Sequence, residues 1–271
     1  MSVQPLSPAD LALAASLVLL LGMLSWKLQL GLGRQLAIAS IRTTVQLLLI
    51  GQVLRLLFAH AHPAYVLAIS LVMLLAAGRE VVARQHRRIG GLSGWLIGTG
   101  SMFLSSFTIT VLALLVIINN QPWYAPQYAI PLLGMLLGNT MSGVALGMER
   151  MTETVWQQRT IIEQRLLLGQ TANEAVLEIR RQAIRAAMMP IINSMATTGL
   201  VSLPGMMTGQ ILGGSSPMEA VNYQILIMFL ICAGTGFGAT TAILGVERRL
   251  FDTRHRLRLD VLHTAGDSTG H

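Results

Sequence analysis

A few polar side chains interrupt the apolar stretches of this sequence, and they are the first candidates for chemistry. Arg42 and Gln46 lie four residues apart, so on a helix they share one face. An arginine inside an apolar span costs roughly 2.5–3.5 kcal/mol on insertion scales, so it should face a protein interior or a water-filled path. The pair is a candidate gate or anion-binding site. The alternative is an arginine that reaches to the membrane surface or bonds to helix ends.

Two amides and a pair of thioethers are further candidates for contact with a cargo, at Asn139, Asn193 and Met206-Met207. Thioethers favour soft ions such as Cu(I), whereas iron(II) prefers imidazole and carboxylate. The bland alternatives are close helix packing around Asn139 and adaptable packing by the 15 methionines. Because the predicted span cores contain no Asp, Glu or His, iron would pass hydrated, chelated or weakly held. Metal ligands stay unknown from the sequence.

A polar segment, residues 150–187, stands out between apolar stretches. Its apolar positions follow a helical period on both sides of Gly169, which predicts a helix, a tight turn and a second helix. Thr171 with Glu174 three residues later is a capping box, so a short capped helix should follow the turn. A helix pair fixed to a membrane helix suits the docking of a partner. The alternative is a surface hairpin without a partner.

The composition defines the setting of these residues. Of the 271 residues, 53% are hydrophobic and 11% charged, whereas soluble domains carry about 25% charged residues. The chain is therefore expected to be an integral membrane protein with one compact domain. The net charge of +7 fits loops that set membrane orientation better than nucleic-acid binding. Cys232 is the single cysteine, which excludes an intramolecular disulfide and cysteine metal clusters.

About seven apolar stretches approach the length that a membrane-spanning helix needs, and they predict an all-α, polytopic membrane protein. They are Leu11–Trp26, Gln35–Phe58, Tyr65–Gly78 (with an alternative end at Val82), Leu92–Ile118, Ala129–Met148, Ala186–Leu212 and Val221–Val246. Pro190 and Pro204-Gly205 should break the sixth span and act as a hinge, since interrupted membrane helices often mark transport sites. A simple re-entrant turn is the alternative.

The cations alternate between connections and predict the orientation. They gather in 79–88, 150–185 and 248–258, while 119–128 carries no charge. By the positive-inside rule the N-terminus should lie outside and the C-terminus in the cytoplasm. Residues 1–248 then form the membrane domain, with 150–187 as a cytoplasmic coupling segment. Residues 249–271 form a basic and polar cytoplasmic tail, expected to be disordered after Asp260.

Two sets of motifs resemble known transporters. Glu163-Gln164-Arg165, Gly169 and Ile179 have the spacing of the loop of ABC-transporter permeases written Glu-Ala-Ala, three residues, Gly, nine residues, Ile, although both alanines are replaced here. A wider resemblance, from about Gly31 to Val246, is to the FetB-type permease family of bacterial iron-export permeases and a plant aluminium-tolerance relative. Its motifs are IRTTVQLLLIGQVL (41–54), IPLLGMLLGNTMSG (130–143) and GLVSLPGMMTGQILGG (199–214).

The resemblance implies the permease subunit of an ABC exporter in the bacterial inner membrane, exporting iron as a homodimer with a separate ATPase chain. This chain would be non-catalytic and bind no cofactor or nucleic acid. It lacks G-x-x-x-x-G-K-[ST], so Mg-ATP would sit on the partner. Contact with the ATPase is expected at Glu163, Gly169, Thr171, Asn173, Glu174, Leu177 and Ile179. The path is expected at Arg42, Gln46, Asn139, Asn193, Met206 and Met207, and the hinge at Pro190, Pro204 and Gly205.

Three other functions stay open at this point. A secondary transporter would need membrane carboxylates for ion coupling, which the predicted span cores lack. A scaffold or signalling subunit could move with an ATPase and transport nothing. An exporter of another metal or of a small solute would share every feature above.

Overall fold

The computed structural model describes residues 7–59 and 62–264, and helices dominate this part of the chain. The helices are α1 (Pro8–Lys27), α2 (Gly33–Ala59), α3 (Pro63–Ala83), α4 (Gly91–Met102), α5 (Thr108–Leu112), α6 (Pro126–Gln157), α7 (Arg159–Leu167), α8 (Ala172–Ala175), α9 (Leu177–Thr197), α10 (Gly205–Leu212) and α11 (Pro217–Leu250). Two π-helical turns, Phe103–Phe107 and Ala113–Ile117, make α4 and α5 one continuous rod. Strands β1 (Arg87–Ile89) and β2 (Leu262–Thr264) and a 3₁₀ turn (Leu259–Val261) complete the elements.

Six helices of the described chain are long and apolar enough to cross a membrane: α1, α2, α3, the rod Gly91–Ile117, α6 and α11. This confirms the all-α membrane architecture. The predicted sixth span, Ala186–Leu212, is divided, because α9 ends at Thr197 and α10 begins at Gly205. The count of seven spans and the orientation of the termini therefore stay predictions.

The break in this region occurs at one of the two expected places. Pro204 is the N-cap of α10, so the chain is interrupted at Pro204-Gly205 as predicted. At Pro190 the expectation of a break was wrong, since α9 runs through it without interruption. Neighbouring helices can support a proline that lacks its backbone donor, and α9 packs against both α6 and α11.

The centre of the molecule is formed by α6, α9 and α11, with α3 and α4 packed around them. Small residues let these helices approach closely. A Cβ atom on Gly143 would lie 2.4 Å from the Thr235 side chain and 3.2 Å from the Ala187 carbonyl oxygen. A Cβ on Gly238 would lie 2.7 Å from the Thr140 side chain. Glycines thus allow close packing where α11 crosses α6.

The α1–α2 pair lies at the edge of this bundle. Of the residues in the most apolar stretch of each helix, 6% are buried in α1 and 0% in α2, whereas 56% are buried in α6. On α2, Leu57 is buried in an apolar cluster with residues such as Val66 of α3, Leu136 of α6 and Ile227 of α11, here called the outer cluster. The pair therefore contacts the body mainly through the C-terminal end of α2.

The segment after α11 folds back onto the body. Strand β2 pairs antiparallel with β1, with Leu262 opposite Ile89 and Thr264 opposite Arg87. Ile89 and Leu262 are both buried, and this apolar contact explains why the chain stays ordered here. The expectation of disorder after Asp260 was wrong for these residues, and 265–271 lie outside the described part.

Candidate functional site

Residues 159–176 form the predicted helix, turn and short helix, here called the coupling hairpin. Helix α7 ends at Leu167, and Gly169 adopts φ = +92°, a left-handed conformation that glycine reaches without a Cβ clash. The Gly169 N–H donates to the Leu166 carbonyl at 3.0 Å, and the Gln170 N–H to that of Arg165 at 3.1 Å. These bonds satisfy carbonyls at the helix end, so Gly169 fixes the turn that joins α7 to α8.

The capping box predicted for α8 is present. The Glu174 N–H donates to Thr171 Oγ1 at 3.4 Å, and the Thr171 N–H donates to Glu174 Oε2 at 2.8 Å. Hydrogen bonds from the backbone and hydroxyl of Thr171 lower the pKa of the Glu174 carboxyl. The carboxylate therefore stays ionised at neutral pH and holds the start of a helix of only four residues.

Apolar burial anchors the coupling hairpin to the helix bundle. Ile162, Ala175, Val176 and Ile179 are buried in a core cluster that also contains Leu250 of α11. Arg165 Nη1 donates to the Ala175 carbonyl at 2.9 Å and joins α7 to α8. Ile179, predicted to contact an ATPase, is only 3% exposed, so it supports the hairpin from inside.

The tip of the coupling hairpin carries two exposed leucines. Leu167 and Leu168 are 88% and 85% exposed and lie directly before Gly169. Five residues predicted for ATPase contact are also exposed, and Leu177 is half-buried. The exposed ones are Glu163, Gly169, Thr171, Asn173 and Glu174. The sequence pattern placed Leu168 among the apolar positions of the helix before Gly169, and neither leucine was predicted to contact a partner. Two leucines inside a polar segment were nevertheless a visible signal.

A buried ion pair links the coupling hairpin to the last helix. Arg180 Nη1 donates to both carboxylate oxygens of Glu247, at 3.0 and 2.9 Å, and to Asn173 Oδ1. The Arg180 and Glu247 side chains are 17% and 11% exposed. One guanidinium thus joins the region of α8 to α9 and α11. The sequence analysis had counted Arg180 only among the cations that set orientation, because its partner lies 67 residues away.

The segment after α11 also contacts the coupling hairpin. His255 has φ = +58°, and its Nδ1 accepts from the Ala172 N–H at 3.4 Å. Asp252 shapes this turn by accepting from the N–H groups of Arg254 and Arg256, at 2.8 Å each. The hydrogen bond from Arg256 lowers the pKa of the Asp252 carboxyl. The start of α8 is therefore held from two sides.

A second group of polar side chains lies on α2, α3 and α6. Arg42 forms an ion pair with Glu80, and Gln46 follows Arg42 by one helical turn. One turn beyond Glu80, Arg84 Nη1 lies 3.5 Å from Ser142 Oγ, a long hydrogen bond. We call this group the polar row; its members are Arg42, Gln46, Glu80, Arg84, Asn139 and Ser142.

The polar row contains a carboxylate that the sequence analysis had not placed in a span core. Helix α3 continues through Glu80 to Ala83, one residue beyond Val82, to which the predicted third span could extend. The Arg42 side chain is 54% exposed and that of Glu80 29%. Glu80 lies three residues from the end of α3, outside the predicted span cores, which hold no carboxylate. Its ion pair decides where the Arg42 guanidinium points.

Six residues were predicted to line the translocation path. Three of them, Arg42, Gln46 and Asn139, belong to the polar row, and the other three lie elsewhere. Asn139 lies on α6 one turn before Ser142, and its Nδ2 donates to the Met135 carbonyl at 2.8 Å. Asn193 is exposed on α9, while Met206 and Met207 are half-buried on α10. These three residues therefore flank the break: Asn193 precedes it on α9, and Met206 and Met207 follow it on α10, which packs against α11. We call them the group around the break. Within 7–59 and 62–264, no three His, Cys, Asp or Glu side chains are placed to hold a metal ion together.

The coupling hairpin and the polar row both fall within a match to a family model that covers residues 8–251 and is described as the uncharacterised protein family UPF0014. The chain belongs to this family. A UPF0014 relative, the "UPF0014 membrane protein slr1647" of Synechocystis, is 40% identical over 88% of this chain and 90% of its own length. The resemblance predicted from the motifs is confirmed.

Two further relatives of this UPF0014 chain carry names that mention iron or aluminium. The "Probable iron export permease protein FetB" of Escherichia coli is 32% identical over 92% of this chain and 93% of its own length. "Protein ALUMINUM SENSITIVE 3" of Arabidopsis thaliana is 32% identical over 85% and 82%. No solved structure matches the chain.

Proposed function

We propose that this chain is the membrane permease subunit of an ABC exporter, driven by a separate ATPase chain. The observation that carries the proposal is the tip of the coupling hairpin. Leu167 and Leu168 are almost fully exposed beside the turn of the coupling hairpin. Arg180 links this hairpin to α11 through Glu247. A rigid, apolar tip outside the membrane bundle is suited to insertion into a groove of a partner.

Movement of the tip would reach the membrane helices through contacts that are already in place. The buried residues Ile162, Ala175 and Val176 belong to the same cluster as Val246 and Leu250 of α11. Arg180 adds a charged link between Asn173 and Glu247. Because packed helices move as units rather than deform, ATP-driven displacement of the hairpin would shift α9 and α11 together. The interruption between Thr197 and Gly205 then gives α10 freedom to move relative to α9.

Iron is the proposed cargo. The support is the name of the Escherichia coli relative, "Probable iron export permease protein FetB", which aligns over 92% of this chain. We further propose that two copies form the path in the bacterial inner membrane, that Mg-ATP binds to the partner, and that this chain catalyses no reaction. The polar row and the group around the break would line successive parts of the path.

The test is the rate of ATP hydrolysis by the co-purified complex in lipid nanodiscs. The double variant Leu167→Asp/Leu168→Asp removes the apolar tip and leaves the buried anchors intact. We expect it to lower both association and cargo-stimulated hydrolysis by about tenfold or more, as loss of a central apolar anchor does. The matched control is Gln182→Asp, which adds a charge at an exposed position of α9 and should leave both unchanged. Equal hydrolysis in the double variant and the parent would contradict the proposal.

A membrane anchor is the competing role for two exposed leucines, and the same variant separates the two. If the leucines only touched lipid, the double variant would still bind the ATPase and hydrolyse ATP at the parent rate. A scaffold without transport is distinguished by iron movement in vesicles, which it would not support.

A further inference from the structure

The polar row carries an excess of positive charge. Arg42 and Arg84 contribute two guanidinium groups, and Glu80 contributes the one carboxylate of the row. Glu80 is paired with Arg42, whereas Arg84 contacts the neutral hydroxyl of Ser142. The charge of Arg84 is therefore not compensated within the row.

The next carboxylate along α6 is already engaged elsewhere. Glu149 lies two turns beyond Ser142, and its Oε2 accepts from the His86 N–H at 2.8 Å. Glu153, one turn further, pairs with Arg87 at 3.2 Å. Both acidic groups hold the loop between α3 and α4 against α6, whereas the Arg84 guanidinium contacts Ser142 of the row.

The neutral members of the row are hydrogen-bond donors beside open space. Asn139 uses one N–H for the Met135 carbonyl, which leaves its second N–H available. Gln46 is exposed on α2, one turn from Arg42. A Cβ atom on Gly138 would meet nothing within 4 Å, so this face of α6 is not closely packed at Gly138.

The row also lies where α2 stands apart from the bundle. Leu57 packs into the outer cluster, and Arg42 precedes it by 15 residues, which is about 22 Å along the helix axis. Between these points the side chains of α2 are exposed or half-buried, and the Arg42–Glu80 ion pair reaches across to α3. Glu80 is three residues from the end of α3, next to the arginine-rich connection that is predicted to be cytoplasmic. An exporter would take up its cargo from this side.

We propose that the polar row admits the cargo as an anion, namely a metal ion chelated by a small carboxylate ligand, and not as a bare cation. This rests on the proposed exporter function and names its substrate class. Guanidinium groups bind carboxylates through paired, charge-assisted hydrogen bonds, and amide donors add to them. A bare metal ion would be repelled by Arg84 and would find one carboxylate, which is already paired. The chelating ligand supplies the metal with the oxygen donors that the row lacks.

Binding to the full-length chain in nanodiscs tests the proposal without any ATPase. The probes are iron(III)–citrate, iron(II) kept free of chelator under reducing conditions, and citrate alone. We expect iron(III)–citrate to bind, and Arg42→Gln or Arg84→Gln each to raise its dissociation constant by about tenfold or more, as loss of one charged hydrogen-bond partner does. Arg150→Gln, an exposed arginine of α6 outside the row, is the matched control and should bind as the parent does.

Several results would overturn the proposal. Free iron(II) binding more tightly than the chelate would show a cation site. Equal binding of the chelate by the parent and the Arg84→Gln variant would show that the row does not hold it. Arg84→Gln keeps this test decisive if Arg42→Gln fails to fold, because Arg84 is exposed and its loss leaves no carboxylate without its ion-pair partner.

Failure of this proposal and failure of the exporter function give different results. If the chain binds iron(III)–citrate through Arg84 but forms no complex with an ATPase, the anionic ligand is supported and the exporter function is refuted. A complex whose ATP hydrolysis is stimulated by free iron(II), and not by iron(III)–citrate, would retain the exporter and refute the anionic cargo.

Discussion

The coupling hairpin and the polar row are built in opposite ways. The hairpin is held by buried apolar residues and by an ion pair whose members are 17% and 11% exposed. The row is held by an ion pair whose members are 54% and 29% exposed and by one long hydrogen bond. A part that transmits force must be stiff, whereas a part that admits cargo must be able to open. The contrast fits the proposed roles, transmission by the hairpin and admission by the row.

The strongest way to break this comparison is to remove the buried ion pair. Arg180→Ala leaves the Glu247 carboxylate without its partner in a largely buried place, which costs about 3–5 kcal/mol in such sites. We expect a clearly lower midpoint of thermal unfolding in nanodiscs. The neighbouring Arg181→Ala removes an exposed contact with Glu178 and should change stability by less than about 0.5 kcal/mol. If Arg180→Ala and Arg181→Ala lowered the thermal midpoint equally, the Arg180–Glu247 ion pair would stabilise the hairpin no more than an exposed contact does.

The packing of α6 against α11 gives the next largest effect. Gly143→Ala places a methyl group 2.4 Å from the Thr235 side chain, and overpacking of this kind costs about 1–3 kcal/mol. Gly138→Ala on the same helix meets nothing within 4 Å and serves as the control. We expect Gly143→Ala to lower the midpoint of thermal unfolding and Gly138→Ala not to lower it. A destabilised Gly138→Ala variant would mean that the face beside the polar row is filled.

The ion pair of the row should contribute little to stability. Exposed pairs contribute about 0–1 kcal/mol, so Arg42→Gln should lower the thermal midpoint only slightly while weakening ligand binding. Thermal unfolding and binding measured on the same sample check this separation. A loss of stability as large as that of Arg180→Ala would place Arg42 in the structural framework.

The smallest effect concerns the capping box of the hairpin. Hydrogen bonds to Thr171 lower the pKa of Glu174 in the folded protein, so its contribution to stability is present above the unfolded pKa and is lost as the pH falls through the folded pKa. Glu174→Gln should therefore unfold at a lower temperature than the parent at pH 7. This gap should narrow on acidification below about pH 4. Thermal scans across this range test it, and a gap that widens toward low pH would contradict it.

Local signals in the sequence predicted much of the hairpin and of the break. Gly169, the pairing of Thr171 with Glu174, and Pro204-Gly205 act on neighbours a few residues away, and each lies where the pattern placed it. Composition likewise predicted a helical membrane protein. The error at Pro190 arose because neighbouring helices, which no local pattern reveals, support the helix there.

The partners that give the site its chemistry are distant in sequence. Glu80 lies 38 residues from Arg42, and Glu247 lies 67 residues from Arg180. Single-sequence reasoning places each charge on a helix but does not pair it with another helix. The strand at Leu262 also depends on a distant partner, Ile89. The packing of the bundle, and not the local pattern, selects these contacts.

The most direct test of the account is ATP-dependent iron movement in sealed proteoliposomes that contain the complex with its ATPase on the outer surface. The account predicts that external ATP drives iron, supplied as iron(III)–citrate, into the vesicles. The Leu167→Asp/Leu168→Asp variant should abolish this uptake, and Gln182→Asp should retain it. If the parent complex hydrolysed ATP but moved no iron into the vesicles, the chain would be a scaffold and not an exporter.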